Sequence, residues 1–151
     1  FEVNCFINRT IHSYASEDSA VALLKFANGA LGSVDTFFCI PDDSSRNVLE
    51  LYGSKGSITA SGTIGQGSQG VMLARLESTP REYEAQQSRE PGEALRISPE
   101  PVNMYRAEIE AFSESILKGE PQEGAEIGVR NQKIIAACYE AARTGRSVQI
   151  K

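Results

Sequence analysis

DSAVALLKFANGALGSVDTFF (Asp18–Phe38), CIPDDSSRNV (Cys39–Val48) and LELYGSKGSITASG (Leu49–Gly62) follow one another without a break, and their reading decides the fold. Ala20–Ala27 and Ala30–Cys39 are rich in Val, Leu, Phe and Thr, which suit a pleated, half-buried surface. Only Asn28-Gly29 separates them. Asn-Gly accepts positive φ at both central positions of a type I′ turn, whose twist matches the flanking strands. Val48–Tyr52 and Ser57–Ala60 repeat the arrangement around Gly53-Ser54-Lys55-Gly56. Two hairpins in succession predict an antiparallel sheet. In the first, Ala20, Ala22, Leu24 and Phe26 fall on one side of their strand and Val21 and Leu23 on the other. A sheet apolar on both faces needs a cover on each.

Upstream, Glu2–Thr10 alternates Val3, Cys5 and Ile7 with polar neighbours and reads as a strand, followed by a polar loop through Glu17. Downstream comes the Gly-rich Gly62–Gly70, a short apolar run Val71–Leu76 and a candidate strand Arg81–Ala85. Gln86–Pro101 holds three prolines and reads as a surface loop. Then the period changes. Tyr105, Ile109, Phe112 and Ile116 recur at helical spacing. Asn103 is a suitable N-cap, and Gly119 followed by Pro121 is a stop. The stripe of this helix, Asn103–Lys118, is expected to pack on the sheet.

A second helix is predicted over Ala125–Thr144, with Ile127, Asn131, Ile134, Cys138 and Ala141 on its buried side and Gly145 at its end. Ser147–Ile150 reads as a final short strand. Strands first and helices last give the α+β class: an open, mainly antiparallel sheet with two C-terminal helices packed on one face. Residues 1–151 are expected to form a single domain, a length at which about two thirds of the unfolded surface is buried.

Composition, at 40% hydrophobic and 23% charged, is that of a globular protein. The net charge of −5 is interrupted by no basic run, which argues against nucleic acid or an anionic membrane surface as partner. No apolar stretch approaches the roughly 20 residues of a membrane-spanning helix. Cys5, Cys39 and Cys138 are far apart in apolar surroundings and read as reduced thiols of a cytoplasmic protein. Phe1 opens the chain with neither an initiator Met nor a leader pattern, and a start inside a longer protein is expected. Asn8-Arg9-Thr10 matches the glycosylation acceptor pattern by chance on this reading.

Gly65-Gln66-Gly67-Ser68-Gln69-Gly70 matches G-x-G-x-x-G. That fingerprint holds a dinucleotide only between a buried strand and a helix whose N-terminus faces the pyrophosphate. Here a small, polar run precedes it and only a six-residue, mainly apolar run follows, so it reads as a strand-to-strand connection. Gly53–Ser57 has the wrong order for a P-loop and reads as a tight turn. His12, the one histidine, has no partners for a metal site, and none is expected. Taken alone it is a loop histidine, set apart by its neighbour Tyr14. Asp42-Asp43 reads as a solvated turn after Pro41, and Arg46 as an exposed residue at a strand entrance.

Several spaced pieces together resemble the C-terminal domain of the Gfo/Idh/MocA oxidoreductases, the family of glucose–fructose oxidoreductase and inositol dehydrogenase. They are Asp18-x-Ala20, Asn28-Gly29-Ala30-x-Gly32, Leu49-x-Leu51-x-Gly53-Ser54-x-Gly56, Asn103-x-Tyr105, Glu108, Phe112, Gly119-x-Pro121, Ala137–Tyr139 and Thr144-Gly145-Arg146-x-Val148. The resemblance implies the substrate-side and oligomerisation half of an enzyme using NAD or NADP on a sugar, cyclitol or similar hydroxylated molecule. The nucleotide fingerprint belongs to an N-terminal Rossmann domain absent from this chain. The family's catalytic lysine (Glu-Lys-Pro) and its Asp-x-x-x-His pair also precede the point where this chain starts. No catalytic residue and no cofactor ligand is therefore carried over, and the chain alone is expected to be inactive.

The family's catalytic helix leads into the first strand. That implies a substrate edge where the Ile11–Glu17 and Ile40–Arg46 loops meet, opposite the Asn28-Gly29 and Gly53–Gly56 turns. His12, Tyr14, Asp42, Asp43 and Arg46 are the substrate-side candidates. The implied partners are a small-molecule substrate, the Rossmann domain and further copies in a homodimer or tetramer formed through the sheet. The alternative is a stand-alone, non-catalytic sheet module binding a protein or a sugar-like ligand.

Overall fold

The computed structural model describes residues 1–77, 92–120 and 124–150. Among them are β1 (Glu2–Asn8), β2 (Ser19–Lys25), β3 (Leu31–Phe37), β4 (Val48–Gly53), β5 (Gly56–Ser61), β6 (Val71–Leu76) and β7 (Leu95–Ile97). Helices α1 (Met104–Lys118) and α2 (Ala125–Thr144) and the short strand β8 (Val148–Gln149) complete the set. The class is α+β with antiparallel strands and two C-terminal helices, as read from the sequence. The strands divide between two four-stranded sheets, and the chain into two compact units.

The first unit, Phe1–Ser45 with Gly119–Lys151, holds the sheet ordered β3-β2-β1-β8 and helix α2. Register pairs Val3 with Leu24, Cys5 with Ala22 and Ile7 with Ala20, so these six share a face. α2 lies on that face. Its Ala141 joins Cys5 and Ala22 in the core, with Ile7, Leu24, Cys138 and Val148 packed around them. Val3 is fully buried, which contributes about 1.5–3 kcal/mol for a side chain of its size. Burial, and then the neighbouring Cys138 thiol, push Cys5 up to about 11. It is a core thiol. Of the buried side expected for α2, Ile134, Cys138 and Ala141 turn inward, whereas Ile127 and Asn131 are exposed and Ala137 is buried instead. The opposite sheet face carries Phe6, Val21, Leu23, Leu31 and Phe37, all exposed, Phe6 at 71% and Leu31 at 79%.

The β2–β3 turn differs from the expected type I′. Gly29 has φ 88°, but no described non-glycine residue has positive φ, so Asn28 does not adopt it. Gly29 N–H donates to Phe26 O, and Ala30 N–H to the Asn28 side-chain oxygen. The loop is therefore a three-residue connection, Ala27-Asn28 in the turn and Gly29 as the left-handed residue, a common way to close a hairpin.

The second unit, Arg46–Lys118, holds the sheet ordered β4-β5-β6-β7 and helix α1. Gly56, at φ 144°, comes so close to β6 that an added Cβ would lie 2.2 Å from Arg75 O, which is why glycine stands there. β7 falls in the stretch read as a loop: three residues pair with β6 where apolar Leu95 and Ile97 bracket Arg96. The candidate strand Arg81–Ala85 lies outside the described residues. α1 is capped as expected, with Arg106 N–H donating to Asn103 Oδ1 at 3.0 Å and Gly119 left-handed at its end. Its stripe is not packed as expected. α1 carries no buried residue, and Phe112 is 56% exposed, with Tyr105, Ile109 and Ile116 exposed likewise.

Candidate functional site

β1 ends at Asn8, β2 begins at Ser19 and β3 ends at Phe37, so the two loops leaving β1 and β3 stand at one edge of the first sheet. The Ala27–Gly29 turn stands at the opposite edge. The Gly53–Gly56 turn, expected at that opposite edge, instead joins two strands of the second sheet.

Asp18 organises the first edge. It is 2% exposed, and its carboxylate accepts the backbone N–H groups of Thr10 (3.0 and 3.1 Å), Ile11 (2.8 Å) and His12 (3.0 Å), with the Thr10 hydroxyl at 3.2 Å. The Ser19 hydroxyl adds a bond at 3.3 Å. A buried charge is tolerated when donors converge on it in this way. The N–H groups of His12 and Ile11, outweighing burial, hold the Asp18 carboxyl well below the usual carboxylate range. Its backbone serves the same edge: Asp18 N–H donates to Asn8 O at 3.0 Å, and Phe38 N–H to Asp18 O at 2.8 Å.

The loop so held presents His12 and Tyr14 together. Their rings stack with centroids 4.9 Å apart and planes 13° apart, and Phe38 stands tilted beside His12 at 6.1 Å. His12 Nε2 is 3.2 Å from Phe38 O. Arg9 Nη1 donates to Tyr14 O at 2.5 Å, fixing the loop backbone, while the Tyr14 side chain stays 41% exposed. Burial, with Asp18, Cys39 and Glu17 nearby, raises the Tyr14 hydroxyl above its ordinary value. At the end of the loop, the Tyr139 hydroxyl of α2 donates to Glu17 Oε1. That bond lowers the Glu17 carboxyl and raises the Tyr139 hydroxyl.

Of the sequence candidates, His12 and Tyr14 are in direct contact. Asp42 and Asp43 lie in a short 3-10 turn, Asp42–Ser44, on the other loop of this edge, exposed after Pro41. Arg46 opens the second unit, exposed ahead of β4. Asp18, Glu17 and Tyr139, which hold this edge, are not among the sequence candidates. Asp18 figured only as part of Asp-x-Ala, and a lone carboxylate at a strand entrance was its one visible signal.

The edge offers an aromatic platform and an imidazole. Among the described residues no cluster of His, Cys, Asp or Glu could hold a metal ion. The Gly65–Gly70 run lies between β5 and β6, with no helix N-terminus after it, and a Cβ on Gly70 would meet Gly62 O at 2.7 Å. Gly70 serves a close backbone approach within the loop, and a run that leads into a strand does not fit a dinucleotide. No described helix is long and apolar enough to cross a membrane.

Residues 4–150 match the family described as "Oxidoreductase family, C-terminal alpha/beta domain". Among solved structures, aldose-aldose oxidoreductase from Caulobacter crescentus, complexed with glycerol, is 27% identical with a TM-score of 0.73, over 99% of this chain and 41% of that one. Levoglucosan dehydrogenase, in complex with NADH and levoglucosan, is 19% identical with a TM-score of 0.74, over 99% and 45%. GenD2 from gentamicin A biosynthesis, in complex with NAD, is 22% identical with a TM-score of 0.68, over 99% and 41%. The latter two show a shared fold. The chain spans less than half the length of each. No curated protein matches it by sequence.

Proposed function

The chain belongs to the Gfo/Idh/MocA oxidoreductase family as its C-terminal α/β domain, and from that premise we propose that it is the substrate-side and oligomerisation part of an NAD(P)-dependent oxidoreductase. Its substrate is a sugar, cyclitol or similar hydroxylated small molecule. One observation carries this reading: the stacked His12 and Tyr14, held at the sheet edge where the loops after β1 and β3 leave together. Relatives complexed with glycerol or levoglucosan support the substrate class, and those complexed with NAD or NADH support the cofactor of the whole enzyme. Asp42 and Asp43, on the other loop of that edge, remain candidates for hydroxyl contacts. Hydride transfer on this proposal needs a nucleotide-binding domain in addition, so the chain alone is inactive.

Two experiments test it. Reading the coding sequence upstream of Phe1 should find a G-x-G-x-x-[GA] after a strand, then Glu-Lys-Pro, then Asp-x-x-x-His. Calorimetry of the chain with NAD(H) or NADP(H) should show no binding tighter than about 100 μM, or about −5.5 kcal/mol. Tighter binding that disappears in Gly67→Val would contradict the proposal. The exposed stripe of α1 favours a second reading, a module that engages another protein, and an upstream sequence lacking all three motifs would support it.

A further inference from the structure

Resting on the reading that this edge faces substrate, we infer that Asp18 is its positioning residue. A closed circuit of hydrogen bonds through Asp18, His12 and Phe38 presents His12 as the Nε2–H tautomer, leaving Nδ1 as the acceptor for a ligand hydroxyl. The circuit has three links. His12 N–H donates to the Asp18 carboxylate at 3.0 Å, the His12 ring meets Phe38 O at 3.2 Å, and Phe38 N–H donates to Asp18 O at 2.8 Å. A carbonyl oxygen only accepts, so the ring nitrogen facing it must carry the proton. In a neutral imidazole the other nitrogen is then an acceptor, and Nδ1 meets no hydrogen-bond partner among the described residues.

Asp18 makes more hydrogen bonds within this loop than Arg9, whose side chain adds one bond to Tyr14 O. Asp18 is 2% exposed, with its N–H, its carbonyl and its carboxylate all engaged in holding the two loops. The charge matters as well as the shape. Asn at position 18 would keep one oxygen but turn an NH2 group toward backbone N–H donors that now converge on a carboxylate. The ligand chemistry follows from the acceptor. A molecule dense in hydroxyl donors satisfies Nδ1, and the exposed Tyr14 ring beside it gives a flat surface for the C–H face of a cyclic polyol.

The test is nitrogen NMR of the His12 imidazole in the 151-residue chain at neutral pH. The unmodified chain should show the Nε2–H tautomer well beyond the excess that free histidine already has. Scalar couplings across the hydrogen bonds should link the Ile11 and His12 amide nitrogens to the Asp18 carboxylate carbon. Asp18→Asn should move the tautomer ratio toward that of free histidine and abolish the ring-current shift from Tyr14, with the core amides of Val3 and Ala22 unmoved. An Nδ1–H tautomer, missing couplings in the unmodified chain, or an Asp18→Asn spectrum equal to the original would overturn the inference. The couplings need no variant, so they decide even if Asp18→Asn does not fold. Glycerol and glucose serve as probes of the acceptor, and either should shift the Nδ1 resonance. If tautomer and couplings are as stated but neither probe moves Nδ1, the acceptor role falls with the substrate-side reading, while the first set of failures leaves that reading standing.

Discussion

Asp18 shows how one buried carboxylate can hold two loops at one sheet edge. Its carboxyl is held below the ordinary value of 3.8, chiefly by the backbone N–H groups of His12 and Ile11. A depressed carboxylate contributes stability that is present above its unfolded pKa and is lost as pH falls through the folded one. Glu17, lowered by the Tyr139 hydroxyl, acts in the same direction. The urea midpoint should therefore stay level from neutral pH to about pH 4 and fall below it. Asp18→Asn should start lower and lose most of that acid dependence, as fluorescence-monitored unfolding at a series of pH values would show. Little of this was legible beforehand. His12 and Tyr14, two apart in one loop, invite pairing. The convergence of three successive N–H groups on a residue six to eight positions later depends on a loop path that composition does not encode.

Elements were legible where their signals are local. Asn103 caps α1 and left-handed Gly145 ends α2, because capping needs only a side chain or a positive φ within one turn. Packing was less legible. The stripe Tyr105, Ile109, Phe112 and Ile116 says which residues are apolar, not what meets them, and the structure leaves them exposed. Phe112→Ala should therefore change the stability of the chain by about 0.5 kcal/mol or less, where a core phenylalanine would cost about 3–5 kcal/mol. Ala141 is the contrast: fully buried against Cys5 and Ala22, it leaves no room for growth. Ala141→Leu should cost about 1–3 kcal/mol by overpacking. Denaturation midpoints of the two variants separate a surface stripe from a core seam. The β2–β3 turn makes a related point, since Asn-Gly marked the hairpin while its register was set by a three-residue loop.

At the scale of the whole molecule, the α+β class followed from strands preceding helices. The division into two sheets did not, because hairpin signals pair neighbouring strands without saying where a sheet stops. The first sheet has α2 on one face and exposed Phe6, Leu23, Leu31 and Phe37 on the other. Such a face matches the cover that a symmetric copy supplies in a closed dimer. Light scattering at micromolar concentration should give a multiple of the 16.4 kDa chain mass, and the monomer mass would count against it. The central claim is that the edge holding His12 and Tyr14 is where a hydroxylated substrate lies. Its most direct test is an amide chemical-shift titration of the chain with glucose, glycerol and inositol. Shifts confined to residues 9–18 and 38–45 are expected, with His12 and Tyr14 moving most. Shifts centred instead on the exposed sheet face or on α1, with the His12 edge silent, would contradict it.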